Sequence, residues 1–357
     1  MAQNALGRRL FHSRSGLQQT LSPLVQKRCQ STKAVPSFSP TSSPELDQKL
    51  NHIRENLFIP MYLAENQKRL VFRQRYRARL NFEQVNITIG DEEFPLRPAD
   101  RQKLPQKREI NQAVEAMKTS QDWKNFIPLL IGSRHSNYKY KTEHFEKWVR
   151  LAGKSDAFGS ILEAAKQSSR TGFSFSHRTI AFQFAYALHQ KAEKASFKGE
   201  QVVTALRHAE QAAQLMDWPE HTNPQLAEDP KRQPFFIGLL TELSAARAID
   251  EAGGADVDGK VRSYVQKLLA TWEFAAFDRK ADTWYDTNAL LLEAALIHSG
   301  LKMAQKVKDV SNDAALMKTI AERVKRLKTV AYKGIKKAPE KVIENPTLGL
   351  REAQAIA

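Results

Sequence analysis

Beyond residue 45 the apolar residues recur at intervals of three and four, the spacing that gives a helix one buried face. Leu46, Leu50, Ile53 and Leu57 form the first stripe, and Pro60, which lacks an amide hydrogen, predicts its stop or a kink. Ile110, Val114 and Met117 open a longer helical series. Asp122 is the candidate N-cap of a helix over 123–131 that contains Pro128. Stripes follow at Phe145–Trp148–Val149–Ala152, at Phe158–Ile161–Leu162–Ala165 and at Ile180–Phe184–Ala187–Leu188. In the last of these, Phe182 and Tyr186 point elsewhere, so that helix is expected to be buried on two sides, inside an array. Val202 to Met216, Phe236 to Leu243, Val261 to Trp272 and Leu290 to Leu301 continue the pattern, interrupted by a Pro-rich loop over 218–234 and by Gly253-Gly254.

One stretch has the period of a strand. Val85, Ile87 and Ile89 alternate with polar residues, Gly90-Asp91 can turn, and 92–96 can return, which predicts a short β-hairpin near 84–96. Further on, Met303, Val307, Val310, Ala314, Met317, Ala321 and Val324 alternate spacings of four and three. They make one long helix, or two if Ser311-Asn312-Asp313 caps a new one. Pro339, Pro346 and Gly349 mark 338–357 as a tail. The expected fold is all-α, a helical-repeat, solenoid-like array with the hairpin and a long basic C-terminal helix. Its divisions are 1–44 (presequence and linker), 45–106 (basic helical extension with the hairpin), 107–300 (helical-repeat body) and 301–357 (basic C-terminal helix and tail).

Charge changes the picture at the N-terminus. The chain of 357 residues carries 55 Lys+Arg against 39 Asp+Glu, a formal net charge of +16. Arg8, Arg9, Arg14, Lys27, Arg28 and Lys33 precede the first acid, Glu45, and Leu6, Leu10, Leu17, Leu21 and Leu24 fall at near-helical spacing. An Arg- and Ser-rich, acid-free, amphipathic segment reads as a mitochondrial presequence, with a processing site near Arg28 and matrix residence implied. Without those six charges the remainder is only moderately basic. Cys29, the single cysteine, sits beside that site, so disulfides, thiolate metal sites and Cys nucleophiles drop out. No apolar run reaches the ~18 residues of a transmembrane helix; the longest meet Glu242 and Glu293.

Catalytic constellations are missing: no phosphate-binding Gly-rich loop, no His-Glu-x-x-His and no Gly-x-Ser-x-Gly occurs. His144 and His177 read as structural. Asp278, Asp282 and Asp286, at i, i+4 and i+8, read as a solvated acidic helix face. A non-enzymatic chain without a cofactor is expected.

Two basic segments carry the candidate chemistry. Lys68, Arg69, Arg73, Arg75, Arg77 and Arg79 fall within an acid-free stretch. On a helix, Arg69, Arg73 and Arg77 form one row and Lys68, Arg75 and Arg79 another, with Phe72, Tyr76 and Leu80 between; on a strand, Arg73, Arg75, Arg77 and Arg79 share a face. Arginine grips phosphate with two parallel hydrogen bonds and stacks on bases, so this segment with Tyr76 suits folded RNA. The second cluster, Lys318, Arg323, Lys325, Arg326, Lys328, Lys333, Lys336 and Lys337, is mostly lysine and suits any anionic surface: RNA backbone, an acidic protein or, peripherally, the inner membrane.

The unit 142–177, helix, polar turn, helix and a Gly-containing connection (Thr171-Gly172-Phe173-Ser174-Phe175), resembles a pentatricopeptide-type unit, and Phe145 to Ile180 has that family's length of repeat. The chain as a whole resembles mitochondrion-specific accessory ribosomal proteins. The resemblance implies an accessory structural subunit of the mitochondrial ribosome contacting rRNA and neighbouring proteins. An assembly factor for an inner-membrane respiratory complex and an mRNA-binding mitochondrial translation factor are the alternatives.

Overall fold

The computed structural model describes residues 34–83 and 85–357. The presequence helix and Cys29 lie outside the described residues. Helix α1, Pro44–Ile53, does not stop before Pro60. It passes through a π-helical turn, Arg54–Phe58, into a last α-turn, Ile59–Tyr62. The wider π-turn accommodates the proline, whose ring crowds the carbonyl one turn back and whose nitrogen cannot donate.

After α2, Glu65–Phe72, the hairpin pairs β1, Asn86–Ile89, with β2, Glu92–Pro95. The strands are antiparallel with Ile87 opposite Phe94, and Gly90 takes the left-handed conformation (φ +64) that the tight turn requires. Then come α3 Lys107–Ala116, α4 Phe126–His135, α5 Thr142–Lys154, α6 Phe158–Lys166, α7 Arg178–Lys194, α8 Glu200–Leu215, α9 Pro234–Ala252 and α10 Lys260–Ala270. The series ends with α11 Trp284–Ala304, α12 Ala314–Lys336 and α13 Leu348–Ile356. Helices pack on the next and the next-but-one in sequence: α5 on α7, α7 on α8 and α9, α8 on α9, α9 on α10 and α11, and α11 on α12 and α13. The all-α array is therefore as expected, and α7 is buried on two faces, as its Phe182 and Tyr186 implied.

Helix α9 is the centre. Phe235, Phe236, Leu239 and Leu243 are buried on successive turns, and its other side lies against α11. The two backbones touch where Gly238 faces Gly300: a β-carbon on Gly300 would come 2.4 Å from the Gly238 carbonyl oxygen.

The stretch 35–43, expected to be linker, is a strap laid on the body. Val35 is buried, and the Ser39 amide donates to Asn125 Oδ1 (2.7 Å) while Asn125 Nδ2 returns a bond to the Ser39 carbonyl (2.9 Å). Asp122 is not a simple N-cap. A 3₁₀ turn, Asp122–Asn125, precedes α4, which leaves Pro128 in the first turn of the helix, where no amide bond is lost. The fully buried Asp122 carboxylate instead accepts from Ser42 N (2.8 Å), Ser42 Oγ (2.9 Å), Lys118 N (3.0 Å) and Thr119 N (2.9 Å).

Burial raises the pKa of Asp122, but these donors outweigh it and hold the group at about 2. A carboxyl depressed from 3.8 to about 2 adds stability that is fully present above the unfolded value and is lost as pH falls through the folded one. Asp122→Asn should therefore cost about 2 kcal/mol at neutral pH. The gap to wild type, read by urea unfolding, should close between about pH 4 and about pH 2.

Of the two readings of the C-terminal stripe, the structure takes the one in which a new helix is capped within 311–313. The helix breaks after Ala304, and Asp313 caps α12 by accepting from the Leu316 amide (3.0 Å). The core side of α12 is Ile320, Val324, Leu327 and Ala331, while Ala314 and Ala321 are exposed. The tail is not loose: α13 buries Leu350, Ala353 and Ile356 against α11 and α12. Gly349 allows this, since a β-carbon there would lie 2.5 Å from the Asn288 carbonyl oxygen.

Candidate nucleic-acid interface

The first basic segment is neither one helix nor a strand. Helix α2 ends at Phe72, Arg73 is extended (φ −88, ψ 125), Gln74–Tyr76 is a 3₁₀ turn and Arg77–Phe82 a short α-helix. The two rows expected of a continuous helix are therefore not formed, because the extended Arg73 resets the phase. The break has local anchors. Val71 is buried and its carbonyl accepts from the Ala99 amide (3.0 Å), Leu80 is buried, and Phe72 lies under the Arg101 guanidinium. Val71 and Leu80 thus serve as the floor of the segment.

The basic side chains stay outside. Lys68 pairs with Glu65 (3.3 Å) and Arg79 with Glu83 (2.8 Å). Arg75 donates to the Tyr76 hydroxyl (2.7 Å) and its guanidinium sits 4.6 Å from the ring centroid. Arg69, Arg73 and Arg77 are exposed and have no acidic partner among the described residues. These three are charges available to a ligand; an exposed pair such as Arg79–Glu83 is worth little and yields readily to a phosphate.

On α12 the second cluster forms one wall of a basic groove of about 900 Å³, opposite the loop 277–281. Lys325, Arg326, Lys333, Lys336 and Lys337 line it. Arg326 is tied to Asp278, Lys336 lies over the exposed Tyr332 ring, and Lys318, Lys325 and Lys328 are exposed. Arg323 is different: its guanidinium packs 5.0 Å from the centroid of Trp272, so it serves the helix packing more than the surface. The two basic segments sit on different modules, one against 99–101 and the other against α11 and α13.

The acidic triplet is not a helix face. Residues 278–282 are loop, with Asp282 near Lys280 (3.6 Å), and Asp286 forms a capping box with Thr283 at the start of α11. His177 precedes α7, and His144 packs its ring against Tyr140 and Trp148.

Sequence reasoning missed the buried ions. Glu293 binds Arg178 through two parallel bonds (2.7 Å each) and Arg279 (3.0 Å), and Arg178 also donates to Gln233 (2.9 Å). Glu242, fully buried, meets the His189 ring (2.8 Å) and the Ser299 hydroxyl. The carboxylate of Glu242, against the cost of burial, pushes His189 up to about 9. The signal was present: a lone acid inside an apolar helix is either a break or a buried partner.

The array thus has a packed helical interior and two exposed, partly unpaired basic segments. The chain belongs to the mitochondrial ribosomal protein mS27 family, whose sequence pattern matches residues 24–355. It is 26% identical over 297 residues to the small ribosomal subunit protein mS27 of Neurospora crassa, covering 74% of each chain. It is thus a structural, non-enzymatic mitochondrial ribosomal protein. The likeness concerns the ribosomal half of the expected resemblance; the pentatricopeptide type is not part of it. Among the described residues no helix is long and apolar enough to cross a membrane.

Proposed function

We propose that the chain is an accessory structural subunit of the small subunit of the mitochondrial ribosome, resident in the matrix. In this reading its helical body docks on neighbouring ribosomal proteins and its basic segments neutralise rRNA phosphates. The contacting residues are Lys68, Arg69, Arg73, Arg75, Tyr76, Arg77 and Arg79 in the first segment and Lys325, Arg326 and Lys328 in the second, with Arg323 holding the helix that carries them. The observation that carries the reading is the trio Arg69, Arg73 and Arg77, exposed and without an acidic partner among the described residues of a ribosomal family member. The family match favours this reading over a membrane-complex assembly factor or a free mRNA-binding factor. The buried Val35 supports a processing site upstream of it.

Two measurements test this. The native protein should co-sediment with small ribosomal particles and be released by RNase, and RNA crosslinks should map to 68–79. In a filter-binding titration with rRNA fragments, replacing Arg69, Arg73 and Arg77 by glutamine should lower the slope of log affinity against log salt by roughly one per arginine. Sedimentation away from ribosomal particles, or an unchanged slope, would sink the proposal.

A further inference from the structure

The geometry points to a divalent-metal site, unrelated to the basic surface, formed by His189, Glu193 and Glu352. His189 and Glu193 are one turn apart on the same face of α7, and Glu352 comes from α13. One ligand-capable atom from each lies within 4.8 Å of the other two. A zinc ion holds nitrogen and carboxylate ligands at about 2.0–2.2 Å, so the donors must draw together by about an ångström or so. Glu193 is exposed and free to swing inward.

What distinguishes this cluster from a group of surface acids is the way the imidazole is held. His189 is only 4% exposed, and its Nδ1 lies 2.8 and 3.0 Å from the two oxygens of Glu242. Glu242 is itself fully buried and fixed by the Ser299 hydroxyl. With Nδ1 donating to Glu242, Nε2 is the ring nitrogen left for a cation, which takes the place of the proton that the surrounding carboxylates favour on it. A buried carboxylate that orients a histidine from behind is the arrangement that fixes tautomer and basicity in metal centres. Glu352 is also oriented, because the Tyr186 hydroxyl donates to its Oε1 (3.0 Å) and leaves the other oxygen for a cation.

Charge supports the assignment. The charged groups that act on His189 are Glu242, Glu193 and Glu352, all carboxylates, and a doubly charged ion offsets them. One imidazole and two carboxylates suit zinc better than the all-oxygen sets of magnesium or calcium. The ion would clamp α13 onto α7, joining two segments more than 150 residues apart, as the 166-residue separation of Tyr186 and Glu352 shows.

The test uses the full chain, freed of metal by chelator and titrated with zinc chloride. Bound zinc is counted by mass spectrometry after gel filtration, and unfolding is followed with and without the ion. Wild type should retain stoichiometric zinc and gain thermal stability. Glu352→Gln and Glu193→Gln should each bind roughly tenfold or more weakly, since even second-sphere changes cost that much, and should lose the stabilisation. If Glu352→Gln misfolds by circular dichroism, the exposed Glu193→Gln decides alone. No stoichiometric zinc on wild type, or glutamine variants that bind as wild type does, overturns the site and leaves His189 as a buried ion-pair partner.

Discussion

Replacing Gly300 by alanine should cost about 3 kcal/mol of folding stability, although alanine is the better helix former by about 1 kcal/mol. The reason is the crossing of α9 and α11. A methyl group at Gly300 would meet the Gly238 carbonyl oxygen at 2.4 Å, carbonyl carbon at 3.1 Å and α-carbon at 3.3 Å. All three are backbone atoms of the central helix, so no side chain can turn aside. The helices must separate, and every contact between them loosens at once. Gly159 is the control. It too lies in a helix, α6, but nothing stands within 4 Å of its β-carbon position. Gly159→Ala should leave stability unchanged or raise it by about 0.5 kcal/mol. Paired chemical-denaturation curves decide the matter: if the Gly300 variant unfolds with the wild-type midpoint, the close crossing is not a feature of the folded protein.

The second large effect concerns Glu293. Glu293→Gln should destabilise by about 3–5 kcal/mol, because it leaves Arg178 and Arg279 facing a neutral group in a largely desolvated site. Arg178 is the more exposed to this loss, as its guanidinium spans Glu293 and Gln233 and lies 5.4 Å from the centroid of Phe235. Replacing both partners, Arg178→Met with Glu293→Leu, should recover most of the stability, since a pair of apolar residues needs no counter-charge. The coupling energy from wild type, Arg178→Met, Glu293→Leu and the double variant should reach about 2 kcal/mol. Strict additivity would mean that the pair is solvated and worth little.

How far the sequence carried depends on what kind of signal each feature leaves. The stripes of α5, α6, α8 and α10 were legible because one-sided burial writes a period of 3.6, and the hairpin because Gly90-Asp91 stands between alternating residues. Pro60 was legible only as an obstacle; whether a proline stops a helix or is absorbed by a π-turn is settled by the packing of Leu57 and Phe58, which tertiary contacts supply. The strap was illegible because its hold is made of main-chain amides of Ser39 and Ser42, and any sequence has amides. The basic segment gave its composition and not its shape: the extended Arg73 follows from the Val71–Ala99 backbone bond, a long-range event. Of the candidate surface residues, Arg323 looked like its neighbours in sequence and was separated from them by one ring, Trp272.

The strap also bears on the order in which the molecule can assemble. Its anchors, Asp122 and Asn125, lie 80 and 86 residues downstream of Ser42 and Ser39. Closing so large a loop is entropically late, so the strap has nothing to hold until the fourth helix has formed. Contacts made after the rate-limiting step do not hasten folding; they slow escape from the native state. Residues 35–43 are therefore expected to act in time as a latch, with variants of Ser39 and Ser42 unfolding faster while folding at the wild-type rate.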